Sequence, residues 1–256
     1  MEDSFYTDLR AHQLDAVGAL REIDKLFSAN GIRYFLVAGS TLGAVRHKGF
    51  IPWDDDIDIG IFYEDKRRAY ELLATISEPY TWIDRTIDPK YPRLYGKVLK
   101  DHVGLVDVFI LVKTSDDIVQ RKIQWASRKI LFKLYKGKIS YHNHNESNSF
   151  IEITKVKIAR IVSHLLRREW IENAIEHNEG RFQNANTKYY LNIYSAYSLE
   201  KEMINSEWLD GADIVTFEGN SFPTVKNTDA YLKHLYGDYM TIPKIEDRVL
   251  RHEELF

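Results

Sequence analysis

The chain has 256 residues, 44% of them hydrophobic and 29% charged, which suffices for one large domain with a real core. A formal net charge of -3 does not mark a nucleic-acid binder, and the absence of cysteine excludes disulfides, thiolate metal sites and a cysteine nucleophile. The polar, acidic start Met1-Glu2-Asp3-Ser4 lacks an export pattern, and no apolar run approaches the roughly 20 residues of a bilayer span. A soluble cytoplasmic chain is therefore expected, with any membrane link peripheral.

In chain order, Leu14, Val17, Leu20, Ile23, Leu26 and Phe27 recur at helical spacing, which predicts a helix over 13–27 stopped by Asn30-Gly31. A short β-rich stretch over 32–38 follows, then Gly39-Ser40-Thr41 as a turn and N-cap for a helix through Val45. Ile57, Ile59 and Ile61 alternate with Asp56, Asp58 and Gly60, the period of a strand with one apolar face. A helix is expected over 64–76, with strands over 81–87, 94–99 and 105–112. The pattern then turns helical, with candidates at 118–135, 151–166, 169–177 and a segment through Tyr194. A hairpin over 214–225 turns at Glu218-Gly219-Asn220, and a helix over 229–236 is capped by Gly237.

These elements predict an α/β or α+β fold made as one domain over 1–256. Its core spans about 13–113 and 212–250, around a mainly helical insertion over about 114–211.

The chemistry concentrates in Pro52-Trp53-Asp54-Asp55-Asp56-Ile57-Asp58-Ile59. Residues two apart on a strand point the same way, so Asp56 and Asp58 project side by side and can grip one divalent cation, Mg²⁺ or Mn²⁺. An acidic surface turn is the alternative for such a run. Four like charges within five positions repel one another, however, and a bound cation relieves that cost. Asp107, in Val106-Asp107-Val108-Phe109-Ile110, is a carboxylate inside an apolar strand. It is a candidate third ligand or general base, or else a structural acid paired with Arg93 or Lys97. The Gly39-Ser40 turn can offer N–H groups and a hydroxyl to a phosphate, with Arg46, His47 and Lys48 to neutralise charge; a routine turn is the other reading.

The run from Ile32 to Gly60, with Gly39-Ser40-Thr41-Leu42-Gly43 and Trp53-Asp54-Asp55-Asp56-Ile57-Asp58, resembles the LicD family of phosphocholine transferases. Phe217-Glu218-Gly219 and Tyr231-Leu232 through Leu235-Tyr236-Gly237-Asp238-Tyr239 resemble that family's C-terminal signature, and fukutin-related proteins share the core motif. The resemblance implies a nucleotidyltransferase-like fold in which Gly39, Ser40, Asp56, Asp58 and Asp107 take the site positions. It also implies a donor such as CDP-choline or a related CDP-alcohol and a sugar hydroxyl acceptor on a cell-surface glycan such as teichoic acid, with release of CMP. One departure is that Asp107 is followed by Val108-Phe109-Ile110-Leu111-Val112 where the family usually has Ile-Phe-Pro-Leu-Asp. A true nucleotidyltransferase releasing pyrophosphate, and an inactive nucleotide- or glycan-binding protein, are the alternatives.

Choline's quaternary ammonium calls for an aromatic cage, for which Trp53, Tyr91 and Tyr95 are candidates, although chance placement competes in a chain with 16 Tyr and 5 Trp. Trp53, Arg93 and Lys97 join the expected substrate-binding set. Between Arg121 and Lys138 lie seven basic residues, no acid, and apolar residues at helical spacing. Such a helix can rest on an anionic membrane and reach a lipid-linked acceptor, can bind acceptor phosphates directly, or can simply present a solvated basic face over a packed apolar one. Tyr141-His142-Asn143-His144 reads as an exposed loop rather than a metal site.

Overall fold

The computed structural model describes residues 2–139, 161–244 and 248. Its elements are α1 (Glu2–Asn30), β1 (Tyr34–Leu36), α2 (Ala38–His47), β2 (Ile57–Phe62), α3 (Lys66–Leu73), β3 (Tyr80–Ile83), β4 (Gly96–Lys100), β5 (Val103–Thr114) and α4 (Ile118–Lys138). There follow α5 (Arg168–Gly180), β6 (Tyr189–Asn192), α6 (Leu199–Glu202), β7 (Met203–Asn205), β8 (Ala212–Phe217), β9 (Asn220–Val225) and α7 (Thr228–Tyr236). The class is α+β, as expected.

The sheet runs β3-β4-β5-β2-β1-β9-β8, with β2/β5 and β1/β9 parallel and the other neighbours antiparallel. Alternation on β2 and β5 divides the core into two layers. Ile57, Ile59, Ile61, Val106, Val108 and Ile110 pack with Leu20, Ile23 and Phe27 of α1 and Leu73 of α3. Phe62, Phe109 and Leu111 face the other way, toward Leu42 of α2 and Tyr231, Leu232 and Leu235 of α7. Because Asp58 and Asp107 alternate with the first set, they share the second face. Deleting a fully buried side chain such as Ile59 to Ala costs about 2–5 kcal/mol in a core of this kind.

α1 begins at Glu2 rather than at residue 13 and α3 is shorter than 64–76, and two further boundaries differ from expectation for local reasons. α2 starts at Ala38, with Val37 as N-cap and no side-chain cap bond, so Ser40 lies inside the first turn rather than at its cap. The strand predicted over 81–87 ends at Ile83. The Asp84 carboxylate accepts N–H bonds from Thr86 and Ile87 and turns the chain, as Asp side chains do where they outcompete a ladder.

Within 114–211, α4 and α5 fall where helices are expected, but the segment through Tyr194 forms β6 instead. β4 pairs with β5 only as far as Val108, leaving the Leu111–Thr114 edge open, and β6 takes it, with β7 beyond. An unpaired edge of buried backbone outweighs local helical preference. The insertion is tied to the core by a buried ion network. Lys66 of α3 donates to Glu179 and, at 2.7 Å, to Glu176 of α5, and Arg85 reaches Glu176 at 2.6 Å. Tyr194 also donates its hydroxyl to Glu179. Most of the predicted helix over 151–166, and the loop over 141–144, lie outside the described residues.

Candidate active site

Backbone register builds the acidic centre. In the parallel β2/β5 ladder Asp58 stands directly opposite Asp107, and in the antiparallel β4/β5 ladder Lys97 stands opposite Asp107. Adjacent strands are about 4.8 Å apart, so the three side chains form a row across the sheet. Asp56, just before β2, completes the group: Asp56, Asp58 and Asp107 each offer a carboxylate oxygen, all within 4.8 Å of one another. Such a set of hard oxygens fits Mg²⁺ or Mn²⁺. Lys97 Nζ lies 2.7 Å from Asp107 Oδ1, so the acid paired with Lys97 also stands in the carboxylate trio.

The electrostatics favour a cation. Burial, and then the charges of Asp56, Asp107 and Asp54, push the Asp58 carboxyl well above its usual range, while Lys97 opposes them. Asp55 is buried and raised to about 7, chiefly by burial and by Asp56. A divalent ion between Asp56, Asp58 and Asp107 removes the like-charge part of this cost.

The turn preceding β2 is shaped to admit these acids. Ala38 has a φ of 47°, a left-handed conformation that costs a residue with a Cβ about 1–2 kcal/mol. Its N–H donates to the Tyr231 hydroxyl at 3.0 Å. A Cβ at Gly39 would sit 3.1 Å from Asp54 Oδ2, so Gly39 lets that carboxylate approach the backbone. The Ser40 hydroxyl accepts the Asp58 N–H at 2.8 Å, fixing α2 to the catalytic strand. The motif around Glu218 acts at a distance: its carboxylate is held by Arg10 at 2.9 Å and accepts the Phe50 N–H at 3.2 Å, and its own N–H donates to Lys48 O at 2.9 Å. With Tyr231 at Ala38 and Glu218 at Lys48 and Phe50, the C-terminal signature braces both ends of α2.

A cleft of about 590 Å³ opens over the acids. It is lined by Gly39, Asp54, Asp56, Asp58, Arg93, Tyr95, Lys97 and Asp107 from the core, and by Arg128, Phe132, Asn192, Tyr194, Ser195 and Tyr197 from the insertion. Of the residues singled out in the sequence, Ser40 is buried beneath the lining, and Arg46, His47 and Lys48 lie elsewhere. These three occupy the far end of α2, roughly 10–13 Å from Gly39 at the helical rise. There Arg46 donates to Tyr239 O at 2.8 Å and to His47 Nε2 at 2.9 Å, and Lys48 is the left-handed C-cap. Trp53 is also outside the lining, its ring covered by Arg248 at 4.3 Å. Tyr91 is buried, with its carbonyl bound by Tyr135, and among the three cage candidates only Tyr95 lines the cleft.

Beyond the basic helix that carries Arg128, the lining residues of this segment were missed because no recognised motif marks them. Leu111 pairs with Asn192, so the chain beyond β6 runs back along β5 toward Phe109 and Asp107, and leaves the sheet where β4 takes over the edge. That exit carries Tyr194, Ser195 and Tyr197 into the cleft. A polar-aromatic cluster, Asn192-Ile193-Tyr194-Ser195-Ala196-Tyr197, was the available signal.

Comparison with known proteins places this centre. Residues 31–107 match the model of the LicD/FKTN/FKRP nucleotidyltransferase domain. The chain thus carries a LicD-type domain match over its acidic centre. Over 95% of its length it is 25% identical to lipopolysaccharide cholinephosphotransferase LicD of Haemophilus influenzae, covering 96% of that protein. An uncharacterized protein of Rickettsia prowazekii is 33% identical over 41% of the chain, which covers 36% of that relative. Human ribitol 5-phosphate transferase FKRP is 51% identical over 58 residues, only 12% of its length. The matched domain contains Gly39, Asp56, Asp58, Arg93, Lys97 and Asp107, and stops short of the wall formed by residues 128–197. Among the described residues no helix is long and apolar enough to cross a membrane.

Proposed function

We propose that the chain transfers a phospho-alcohol, phosphocholine in the first instance, from a CDP-alcohol to a sugar hydroxyl of a surface-glycan precursor, releasing CMP. The observation that carries this reading is the trio of carboxylate oxygens within 4.8 Å at the floor of a substrate-sized cleft. The similarity to a cholinephosphotransferase along nearly the whole chain supports the choice of alcohol.

Asp56, Asp58 and Asp107 would hold Mg²⁺, which when bound supplies charge stabilisation to the phosphates and the leaving group. Lys97 and the Tyr95 hydroxyl hold the Asp107 carboxylate in place from the neighbouring strand. The acceptor oxygen forms a bond to the phosphorus bearing the alcohol while the bond to CMP breaks. Its proton passes to Asp54, which lines the cleft outside the Asp56-Asp58-Asp107 trio. Arg93 and Lys97 offset the charge that collects on CMP.

Calorimetric titration of CDP-choline, CDP-ribitol and CDP-glycerol, each with and without Mg²⁺, tests donor and metal together, and product analysis tests the reaction. Metal-dependent binding of one donor with CMP as product is expected. Pyrophosphate as the product would instead make the chain a true nucleotidyltransferase.

A further inference from the structure

The helix α4 brings one cation, Arg128, to the lining of the cleft. Arg121 is buried, with its guanidinium spent on the carbonyls of Ser115 and Asp116. Lys138 donates to Leu166 O. Lys122 and Lys129 are exposed to solvent. Arg128 alone among these lines the cleft, its guanidinium 3.4 Å from the centre of the Trp125 ring, which itself is buried. Its Nε is shut away from solvent and bonds to nothing, and among the described residues no carboxylate lies within ion-pair distance. Burial pulls the guanidinium down to about 10, with Glu202 pulling the other way, so at neutral pH it remains a cation held at a desolvation cost. A half-buried charge stacked over an aromatic ring, with an unused buried donor at a cleft, is arranged for an anion that arrives from outside.

We infer that Arg128 is the phosphate anchor of the insertion wall, gripping the donor's diphosphate together with Lys97 of β4 and Arg93, which precedes that strand. This rests on the reading of the cleft as a nucleotide-diphosphate site. The position follows from the cleft: the carboxylates occupy its floor, so a diphosphate bridging a metal there has its remaining oxygens directed at the walls. Trp125 is a positioning residue in this scheme, because the ring fixes the guanidinium plane and thereby the direction of its forked donors. The choice among the roles of the basic helix follows as well. Its basic residues do not share one solvated face; Arg121 serves the core and Arg128 serves the cleft.

The test compares wild type with Arg128→Met and Arg128→Lys by titration of Mn²⁺ alone, of inorganic pyrophosphate with Mn²⁺, and of CDP-choline with Mn²⁺. Mn²⁺ binding, unchanged in both variants, shows that the fold and the carboxylates are intact. Pyrophosphate and CDP-choline should both weaken by roughly ten- to hundredfold in Arg128→Met, the range for losing hydrogen bonds to a charged group. Arg128→Lys should recover part of that loss, because the charge remains and the fork does not. In turnover, KM for the donor should rise more than kcat falls. Equal pyrophosphate affinity in wild type and Arg128→Met, or no pyrophosphate binding by wild type, overturns the assignment. If pyrophosphate binds in an Arg128-dependent way and CDP-choline does not bind, the anchor stands and the proposed donor fails.

Discussion

Asp58 and Asp107 sit on neighbouring strands in direct register, whereas Arg128, Tyr194 and Tyr197 reach the same cleft from a helix and a loop suspended on the Lys66-Glu179-Tyr194 network. The strand wall lies inside the matched domain and the suspended wall lies outside it. The difference is one of division of labour. The carboxylates proposed to share one ion stand on paired strands of the sheet, and the proposed substrate-facing groups stand on a helix and a loop outside the matched domain.

The sharpest way to break this comparison is Asp58→Asn. It should lower turnover about a thousandfold, as expected from losing several kcal/mol of charge stabilisation, and should also raise the melting temperature of the metal-free protein because a buried like charge is gone. CMP release and thermal melts with and without Mg²⁺ measure both; a variant with normal turnover would remove the strand wall from the chemistry. Next in size, Lys66→Met leaves Glu179 buried without its cation and should cost about 3 kcal/mol by urea unfolding. If the suspended wall is separable, Mn²⁺ affinity should survive that change while donor affinity falls.

A smaller effect belongs to Glu202, which is buried, accepts the Ser195 hydroxyl and is raised from 4.5 to about 7, chiefly by burial. Its folded-state value lies above its unfolded one, so the folded chain holds the proton more tightly. Its contribution is therefore most favourable below about pH 4.5 and is lost as pH rises to about 7. Glu202→Gln should match wild type near pH 4.5 and exceed it by about 3 kcal/mol at pH 8, with thermal melts across pH as the measurement. A wild-type melting profile identical to that of the variant would contradict the buried acid. The least effect is expected for Tyr231→Phe, which frees the Ala38 N–H and should cost about 1 kcal/mol. A donor KM that moves with it would show that the Ala38-Gly39 turn shapes the cleft.

Much of the strand wall was legible in the amino-acid order. Alternation of Ile57, Ile59 and Ile61 with Asp56 and Asp58 specifies a shared face, and an acid among Val106, Val108 and Ile110 marks Asp107 as a residue with a task. Legibility failed at Arg46, His47 and Lys48. Their nearness to Gly39 in sequence became separation in space once a helix ran between them. It failed also at Ser40, whose hydroxyl is taken by the Asp58 backbone, and throughout the suspended wall.

What the sequence by itself determined, then, were most of the elements and their faces, because helical and strand periods are local properties of side chains: the apolar face of the Ile57–Ile61 strand, the carboxylate pair on its other face and a turn before it. Only the tertiary structure decided which distant segments meet. The ladder hydrogen bonds that set Asp58 beside Asp107, and β6 along the open edge of β5, are made by backbone groups that every residue type carries. No residue in 189–197 announces that register, and the same register brings Tyr194 and Tyr197 to the cleft that Arg128 reaches from α4.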